Sequence, residues 1–182
     1  MVLTLEFYKV DWKDIEGICF ALANRIEDDS YQPTYIVAIL RGGMVPATIL
    51  GDFLNIRRFY FIDIKFYRKI GETESVPRIV KSDLDEEIKD SNVLLVDDIA
   101  DSGRTLKVAL EHVYTFKPKS VRVLTLFKKS RSIITPDYFH EVIDKWVVFP
   151  WEIRETISEI RDRKILKKLN FDDCYLNKYL SY

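Results

Sequence analysis

The sequence predicts an α/β fold with a central, mostly parallel, twisted sheet flanked by helices. Short apolar segments rich in β-branched and aromatic residues follow one another along the chain, and helical patterns separate most of them. One of them, Val93–Val96, is entirely apolar, as is typical of a parallel strand covered on both faces. Strands that alternate with helices form doubly wound sheets, so this class is expected.

The individual elements follow in chain order. Asp11 caps a helix whose apolar residues, between Ile15 and Ile26, recur at helical spacing. Further helices begin near Pro46 and Thr105. Strands are predicted at Tyr35–Leu40, Phe59–Phe66, Val93–Val96, Val121–Phe127 and Val142–Val148. A charged amphipathic helix is predicted from about Glu152 to Leu169.

A long polar segment, Tyr67 to Asp90, separates the second and third core strands. It contains Gly71 and Pro77 and is interrupted only by the short sequence RIV at Arg78–Val80. Long polar connections in compact domains are often functional loops. We therefore expect a flexible lid or a hairpin over about residues 67–90.

Composition limits the classes of function. The 182 residues predict a single domain, and the 28 basic and 29 acidic residues leave a formal net charge of -1. That balance gives no general electrostatic reason to bind nucleic acid or an anionic membrane. Cys19 and Cys174 lack metal-ligand spacing, and no apolar run approaches the about 20 residues of a membrane span, so a reduced, cytoplasmic setting is expected.

Charged residues follow the ends of neighbouring predicted strands. Arg41 follows the first core strand, Asp97 the third and Lys128 the fourth. Ligands of open α/β sheets bind beyond the carboxyl ends of the strands. The sequence therefore predicts one binding site at this edge.

The stretch VLLVDDIADSGRT, Val93 to Thr105, fits a sugar phosphate. Its small-residue turn, Ala100–Thr105, supplies backbone N–H groups at a helix N-terminus, where a phosphate monoester binds well, and Gly103 allows close approach. Asp97 and Asp98 suit the vicinal hydroxyls of a ribose, directly or through Mg²⁺ and water. Together these groups predict a ribose 5-phosphate site.

A simpler alternative is an acidic cap at a strand-to-helix turn, with Asp101 as the N-cap. It accounts for one carboxylate and leaves the other two unexplained, although buried polar groups need partners. The sequence has no G-x-x-x-x-G-K-[ST] and no G-x-G-x-x-G at its first strand-helix turn. Nucleotide hydrolysis and hydride transfer are therefore disfavoured.

The same stretch resembles the motif by which type I phosphoribosyltransferases bind 5-phosphoribosyl 1-pyrophosphate (PRPP). The resemblance implies that family's fold, a ribose and metal site at Asp97 and Asp98, and Mg²⁺ held largely by PRPP oxygens and water. It also implies a 5′-phosphate loop made of Ala100, Asp101, Ser102, Gly103, Arg104 and Thr105.

The segment LRGG, Leu40 to Gly43, resembles the pyrophosphate loop of the same family. The resemblance implies that Arg41 and the amides of Gly42 and Gly43 hold pyrophosphate, and that the Arg41–Gly42 peptide is cis. Taken alone, the segment also fits a Gly-Gly turn before a helix.

The segments TLFKK and KWVVFPWE resemble the 6-oxopurine branch of the family. The resemblance implies that Lys128 binds the purine O6, Trp146 stacks on the base, Val147 reads its edge and Glu152 lies near base and metal. An ammonium group donates to a carbonyl oxygen, which agrees with such a base. On the residues alone, Trp146 also fits a core aromatic and Lys128 a solvated lysine.

Asp101 is the residue that distinguishes this branch, where the third acid of the motif lies beside the purine N7 as acid and base. The resemblance implies a purine salvage enzyme that uses PRPP and hypoxanthine, guanine or xanthine to form a nucleoside monophosphate and pyrophosphate. It further implies a base-binding hood at about 128–152, a C-terminal helix and tail at about 153–182, lid contacts from Lys65 and Tyr67, and a homodimer or homotetramer. Transfer to another base, and a PRPP-sensing regulator without catalysis, stay open.

Overall fold

The computed structural model describes residues 6–67 and 76–180. They form two compact units: a larger one within residues 16–144, and a smaller one that joins residues 6–15 to residues 145–180. The single domain that the sequence predicts stays a prediction. The predicted base-binding segment, 128–152, is divided between the two units.

The elements alternate along the chain as expected. The strands are β1 (Phe7–Lys9), β2 (Tyr35–Leu40), β3 (Phe59–Tyr67), β4 (Val76–Ser82), β5 (Asn92–Ala100), β6 (Ser120–Lys128), β7 (Glu141–Val142) and β8 (Trp146–Val148). The helices are α1 (Trp12–Asp28), α2 (Met44–Phe53), α3 (Arg104–Thr115), α4 (Ile153–Ile160), α5 (Arg163–Lys168) and α6 (Asp173–Tyr179).

The larger unit is built on one sheet. Within the described residues, six strands lie in the order β4-β3-β2-β5-β6-β7. All neighbouring pairs are parallel except β3 and β4, which are antiparallel. The predicted α/β class with a mostly parallel sheet is confirmed.

Burial explains why β5 occupies the centre of this sheet. Its residues Val93–Val96 are all 0% exposed, as their unbroken apolar run predicts for a strand covered on both faces. Helix α3 packs on the sheet through Leu106, Ala109 and Val113, which recur at helical spacing and are fully buried. This packing holds the N-terminus of α3 at the end of β5.

The described part of the polar segment after β3 begins with β4, which pairs with β3 in an antiparallel arrangement. Strands β3 and β4 pair from Ile62 opposite Ser82 to Tyr67 opposite Val76. After β4 the chain returns to the core, where Ile88 is 0% exposed, in a short 3-10 helix capped by Asp85. Residues 68–75 of the predicted lid lie outside the described part, and lid closure stays a prediction.

The smaller unit pairs β1 with β8 in parallel, Phe7 opposite Trp146. Its described helices α4, α5 and α6 pack on a cluster of Val148, Ile157, Leu166, Phe171 and Leu176. No helix in the described ranges is long and apolar enough to cross a membrane.

Two predictions for this part of the chain are wrong. The single helix from Glu152 to Leu169 is interrupted, because Arg161 adopts a left-handed conformation (φ 50°) that ends α4, and Asp162 then caps α5. The strand predicted at Val142–Val148 is two short strands, β7 and β8, which belong to different sheets.

Candidate active site

Three neighbouring strands bring the predicted site residues of the larger unit together. Strand β5 pairs with β2 on one side and with β6 on the other, so their carboxyl ends share one edge of the sheet. Strand β5 extends to Ala100, past the predicted end at Val96, and Ala100 lies opposite Lys128. Asp97 and Asp98 are therefore strand residues.

The two acids of β5 are buried, and they meet the LRGG segment. Asp97 is 9% exposed and Asp98 8%. The Asp97 carboxylate accepts a hydrogen bond from the Asp98 backbone N–H at 3.0 Å. A Cβ placed on Gly42 would overlap the Asp98 carboxylate, and one on Gly43 would collide with the Val96 carbonyl oxygen. The structure thus joins the two motifs that the sequence keeps far apart.

The LRGG segment contains a non-proline cis peptide at Leu40–Arg41. The predicted position, Arg41–Gly42, is wrong by one bond, because the glycine pair carries no signal for which neighbouring peptide is cis. Gly43 then precedes α2, and Pro46 is buried in its first turn.

The phosphate loop, Ala100–Thr105, closes around a small cavity. Gly103 has φ 75° and directly precedes α3, and the Ser102 hydroxyl accepts from the Arg104 N–H at 3.3 Å. The cavity has a volume of about 120 Å³ and is lined by Phe66, Ile99, Ala100, Asp101, Ser102, Gly103, Thr105 and Leu106. The amides and dipole at a helix N-terminus favour an anion, so this cavity suits a phosphate group.

Asp101 does not cap α3, so the capping alternative is wrong. The capping position belongs to Gly103, which has no side chain to cap the helix. The Asp101 carboxylate instead accepts from Arg131, whose Nε lies 2.9 Å from Oδ1 and whose Nη2 bonds to the same oxygen. The sequence analysis missed Arg131, because only the fold brings residue 131 beside residue 101.

The two lysines at the end of β6 differ in burial. Lys129 is 7% exposed, and burial lowers its pKa while the nearby negative charge of Asp101 opposes that shift. Lys128, the predicted O6 donor, is half-buried and lies opposite Ala100 and Val142 in the sheet. The negative charge of Asp101 therefore acts on the Lys129 ammonium.

The two residues predicted to make lid contacts lie on β3. Lys65 is exposed, and its ammonium lies 3.6 Å from the Asp63 carboxylate. Tyr67 ends the strand at 47% exposure. Phe66, between them, lines the phosphate cavity, a contact that sequence analysis did not find.

The predicted base-binding residues of the smaller unit lie on β8 and just after it. Trp146 is 44% exposed, so the alternative of a core aromatic is wrong, whereas Val147 is buried. The Trp151 ring stacks on Phe149 at 4.8 Å, and its Nε1 is buried without a hydrogen-bond partner among the described residues. Glu152 directly precedes α4.

The acid pair of β5 is the metal-ligating feature that the sequence predicts. Within residues 6–67 and 76–180, no three His, Cys, Asp or Glu side chains gather in a way that could hold a metal ion. Mg²⁺ prefers oxygen ligands, keeps several waters and often takes one or two carboxylates plus substrate phosphates. Asp97 and Asp98 fit that kind of site.

Comparison with known proteins identifies the family. The model of the phosphoribosyl transferase domain matches residues 11–156. The chain belongs to the phosphoribosyl transferase family. Every site residue predicted above, from Arg41 to Glu152, falls within the matched range.

Individual relatives of this phosphoribosyl transferase chain agree with the family match. The xanthine-guanine phosphoribosyltransferase of Cereibacter sphaeroides is 32% identical over 151 residues, which cover 80% of this chain and 87% of that protein. The purine phosphoribosyltransferase structure from Pyrococcus horikoshii has a TM-score of 0.72 at 34% identity and covers 81% of this chain and 94% of that one. A hypoxanthine phosphoribosyltransferase from Staphylococcus aureus superposes with a TM-score of 0.61 at 28% identity, covering 72% and 73%.

Proposed function

We propose that this protein transfers the 5-phosphoribosyl group of PRPP to N9 of a 6-oxopurine, with release of pyrophosphate. The observation that carries the proposal is the contact of Gly42 with the Asp98 carboxylate beside the phosphate loop, which puts the two PRPP motifs in one place. The names of the relatives, xanthine-guanine and hypoxanthine phosphoribosyltransferases, support a 6-oxopurine acceptor.

The three anionic and polar parts of PRPP match three parts of the larger unit. The 5′-phosphate enters the cavity at the phosphate loop, and its charge is favoured by the N-terminus of α3. The ribose hydroxyls donate to Asp97 and Asp98. Pyrophosphate lies against Arg41 and the amides of Gly42 and Gly43, where positive charge favours its departure.

Mg²⁺ is the cofactor that this assignment includes. Asp97 and Asp98 would hold it, mostly through water and PRPP oxygens, and when bound it neutralises charge on the leaving pyrophosphate. The protein supplies no nucleophile of its own, because the C1–O bond breaks towards pyrophosphate and the purine nitrogen takes its place on C1.

The acceptor base is handled by Asp101 and a lysine. As N9 bonds to C1, the Asp101 carboxylate accepts the purine proton at N7. We assign the O6 contact to Lys129 in preference to Lys128, because Lys129 is the buried lysine near Asp101. Trp146, with its exposed ring, Val147 and Glu152 are the contacts proposed for the smaller unit.

Setting and assembly stay at the level of proposals. Cys19 and Cys174 are free thiols, which supports the expected reduced, cytoplasmic compartment. A homodimer or homotetramer stays a prediction, which light scattering of the purified protein checks.

The experiment is an ultraviolet-monitored assay with PRPP and Mg²⁺ against hypoxanthine, guanine, xanthine, adenine and uracil, each repeated with EDTA. The proposal expects PRPP-dependent nucleotide formation from at least one 6-oxopurine, inert adenine and uracil, and loss of turnover in EDTA. Turnover of adenine or uracil alone contradicts the assignment of the base. PRPP binding without turnover of any base favours a regulator.

A further inference from the structure

A second loop supports the phosphate loop from outside. The bracing loop, Lys129–Ile134, follows β6 and is bonded to the phosphate loop at two points. The Lys129 N–H donates to the Ala100 carbonyl at 2.9 Å, and the Ile133 N–H donates to the Ser102 carbonyl at 3.1 Å. These two carbonyls belong to the residues on either side of Asp101.

The two loops touch closely, and the outer end of the bracing loop is anchored. A Cβ on Gly103 would lie 2.7 Å from the Ser132 Oγ and 2.8 Å from the Ile134 nitrogen, so no side chain fits between them. The Ser130 N–H and hydroxyl both donate to the Asp144 carboxylate, at 3.0 and 2.8 Å. The bracing loop is therefore held from both sides.

Arg131 lies in the middle of this loop and contacts Asp101. Both of its described hydrogen bonds converge on Oδ1. Among the described residues, the other carboxylate oxygen, Oδ2, accepts no hydrogen bond. A guanidinium is planar and its donors are fixed relative to one another, so two donors that converge on Oδ1 fix the location of that oxygen.

The exposure of this ion pair argues against a large role in stability. The side chains of Arg131 and Asp101 are 68% and 47% exposed. Exposed ion pairs contribute little to folding stability. A well-anchored loop that carries one arginine to one carboxylate is better explained by what the carboxylate does.

We propose that Arg131 is a positioning residue for Asp101. It holds Oδ1 so that Oδ2 is presented to the base, within the hydrogen-bond reach that proton transfer requires. The proposal rests on the proposed function, since it takes Asp101 to be the group that accepts the purine proton. It adds a residue outside the recognised motifs to the machinery of the reaction.

The test is steady-state kinetics of Arg131→Gln and Arg131→Lys. Loss of positioning lowers kcat by roughly tenfold in R131Q, since misplacements of about 1 Å cost up to about a hundredfold, while KM for PRPP stays within about twofold. R131K keeps the positive charge but lacks the planar pair of guanidinium donors, so its kcat is expected to lie between those of R131Q and wild type. Arg122→Gln is the matched control, because Arg122 also pairs with an exposed aspartate, Asp137, and is expected to keep wild-type kcat.

A double-mutant cycle separates positioning from any independent role. In the Asp101→Asn background, where the side chain cannot take the proton, R131Q is expected to cause no further loss of kcat. A wild-type kcat in R131Q, or an equal loss in both backgrounds, overturns the proposal. Thermal unfolding shows whether each variant is folded. If R131Q does not fold, the kcat of R131K, the variant that disturbs the loop least, tests the proposal.

The proposed function is tested separately, with the wild-type enzyme. A wild type that turns over no 6-oxopurine contradicts the proposed function and, with it, the positioning role. An active wild type whose R131Q variant is equally active overturns the positioning role alone.

Discussion

The backbone of Gly42 lies directly against the carboxylate of Asp98. A methyl group at Gly42 would overlap three atoms of that carboxylate. Gly42 follows β2 and Asp98 lies on β5, and these strands are neighbours in the sheet. The proposed pyrophosphate and ribose sites therefore form one continuous surface, and Gly42 is small because Asp98 occupies the space.

Gly42→Ala is expected to weaken PRPP binding. Its Cβ displaces the Asp98 carboxylate from the proposed ribose hydroxyls, and KM for PRPP rises by about tenfold or more. Steady-state kinetics with varied PRPP measure the change. Gly17→Ala in α1 is the matched control, since a Cβ there meets nothing within 4 Å and is expected to stabilise the helix by about 0.5–1 kcal/mol. An unchanged KM for PRPP in G42A contradicts the assignment.

Asp101→Asn is expected to separate catalysis from PRPP binding. The amide cannot accept the purine proton, so kcat falls by roughly 10²–10⁴-fold, the usual contribution of general acid-base catalysis. The loop amides that would bind the 5′-phosphate are unchanged, so calorimetry gives the wild-type affinity for PRPP. Equal losses in affinity and turnover would show that Asp101 acts in binding instead.

Lys129→Met and Lys128→Met are expected to differ in their effect on kcat/KM. If Lys129 donates to O6, K129M lowers kcat/KM for guanine by about tenfold or more, because a lost hydrogen bond to a charged group costs about 1.5–3 kcal/mol. K128M, which removes the half-buried neighbour, has the smaller effect. Kinetics with guanine measure both variants, and the reverse order returns the role to Lys128.

The stability contributed by the Ser130–Asp144 contact, which anchors the bracing loop, is expected to depend on pH. The Ser130 N–H and, next, its hydroxyl lower the pKa of Asp144 below its ordinary value of 3.8. A carboxyl whose pKa is lowered by folding stabilises the folded state above its unfolded pKa, and this contribution is lost as pH falls through the folded value. Ser130→Ala therefore destabilises the protein at neutral pH, and its difference from wild type shrinks below pH 3.8. Urea unfolding at several pH values measures it, and a constant difference contradicts the role of this bond.

The sequence is sufficient for the parts of the fold that local patterns determine. The apolar run Val93–Val96 predicts a buried central strand, and the acids and small residues after it predict the chemistry of that strand's end. These signals are local, because strand burial and helix N-termini each depend on a few consecutive residues.

The features that the sequence does not predict depend on tertiary contacts. Nothing near Arg131 in sequence indicates its contact with Asp101, and nothing in the sequence indicates that Lys129 is buried. The break in the C-terminal helix depends on a left-handed Arg161, a conformation that glycine or asparagine would have signalled but arginine does not.

The most direct test of the central claim is to incubate the wild-type protein with PRPP, Mg²⁺ and guanine and to quantify both products by chromatography. Phosphoribosyl transfer predicts GMP and pyrophosphate in equal amounts, with neither formed when guanine is replaced by adenine. Pyrophosphate without GMP, or neither product with guanine, hypoxanthine and xanthine in turn, would contradict it.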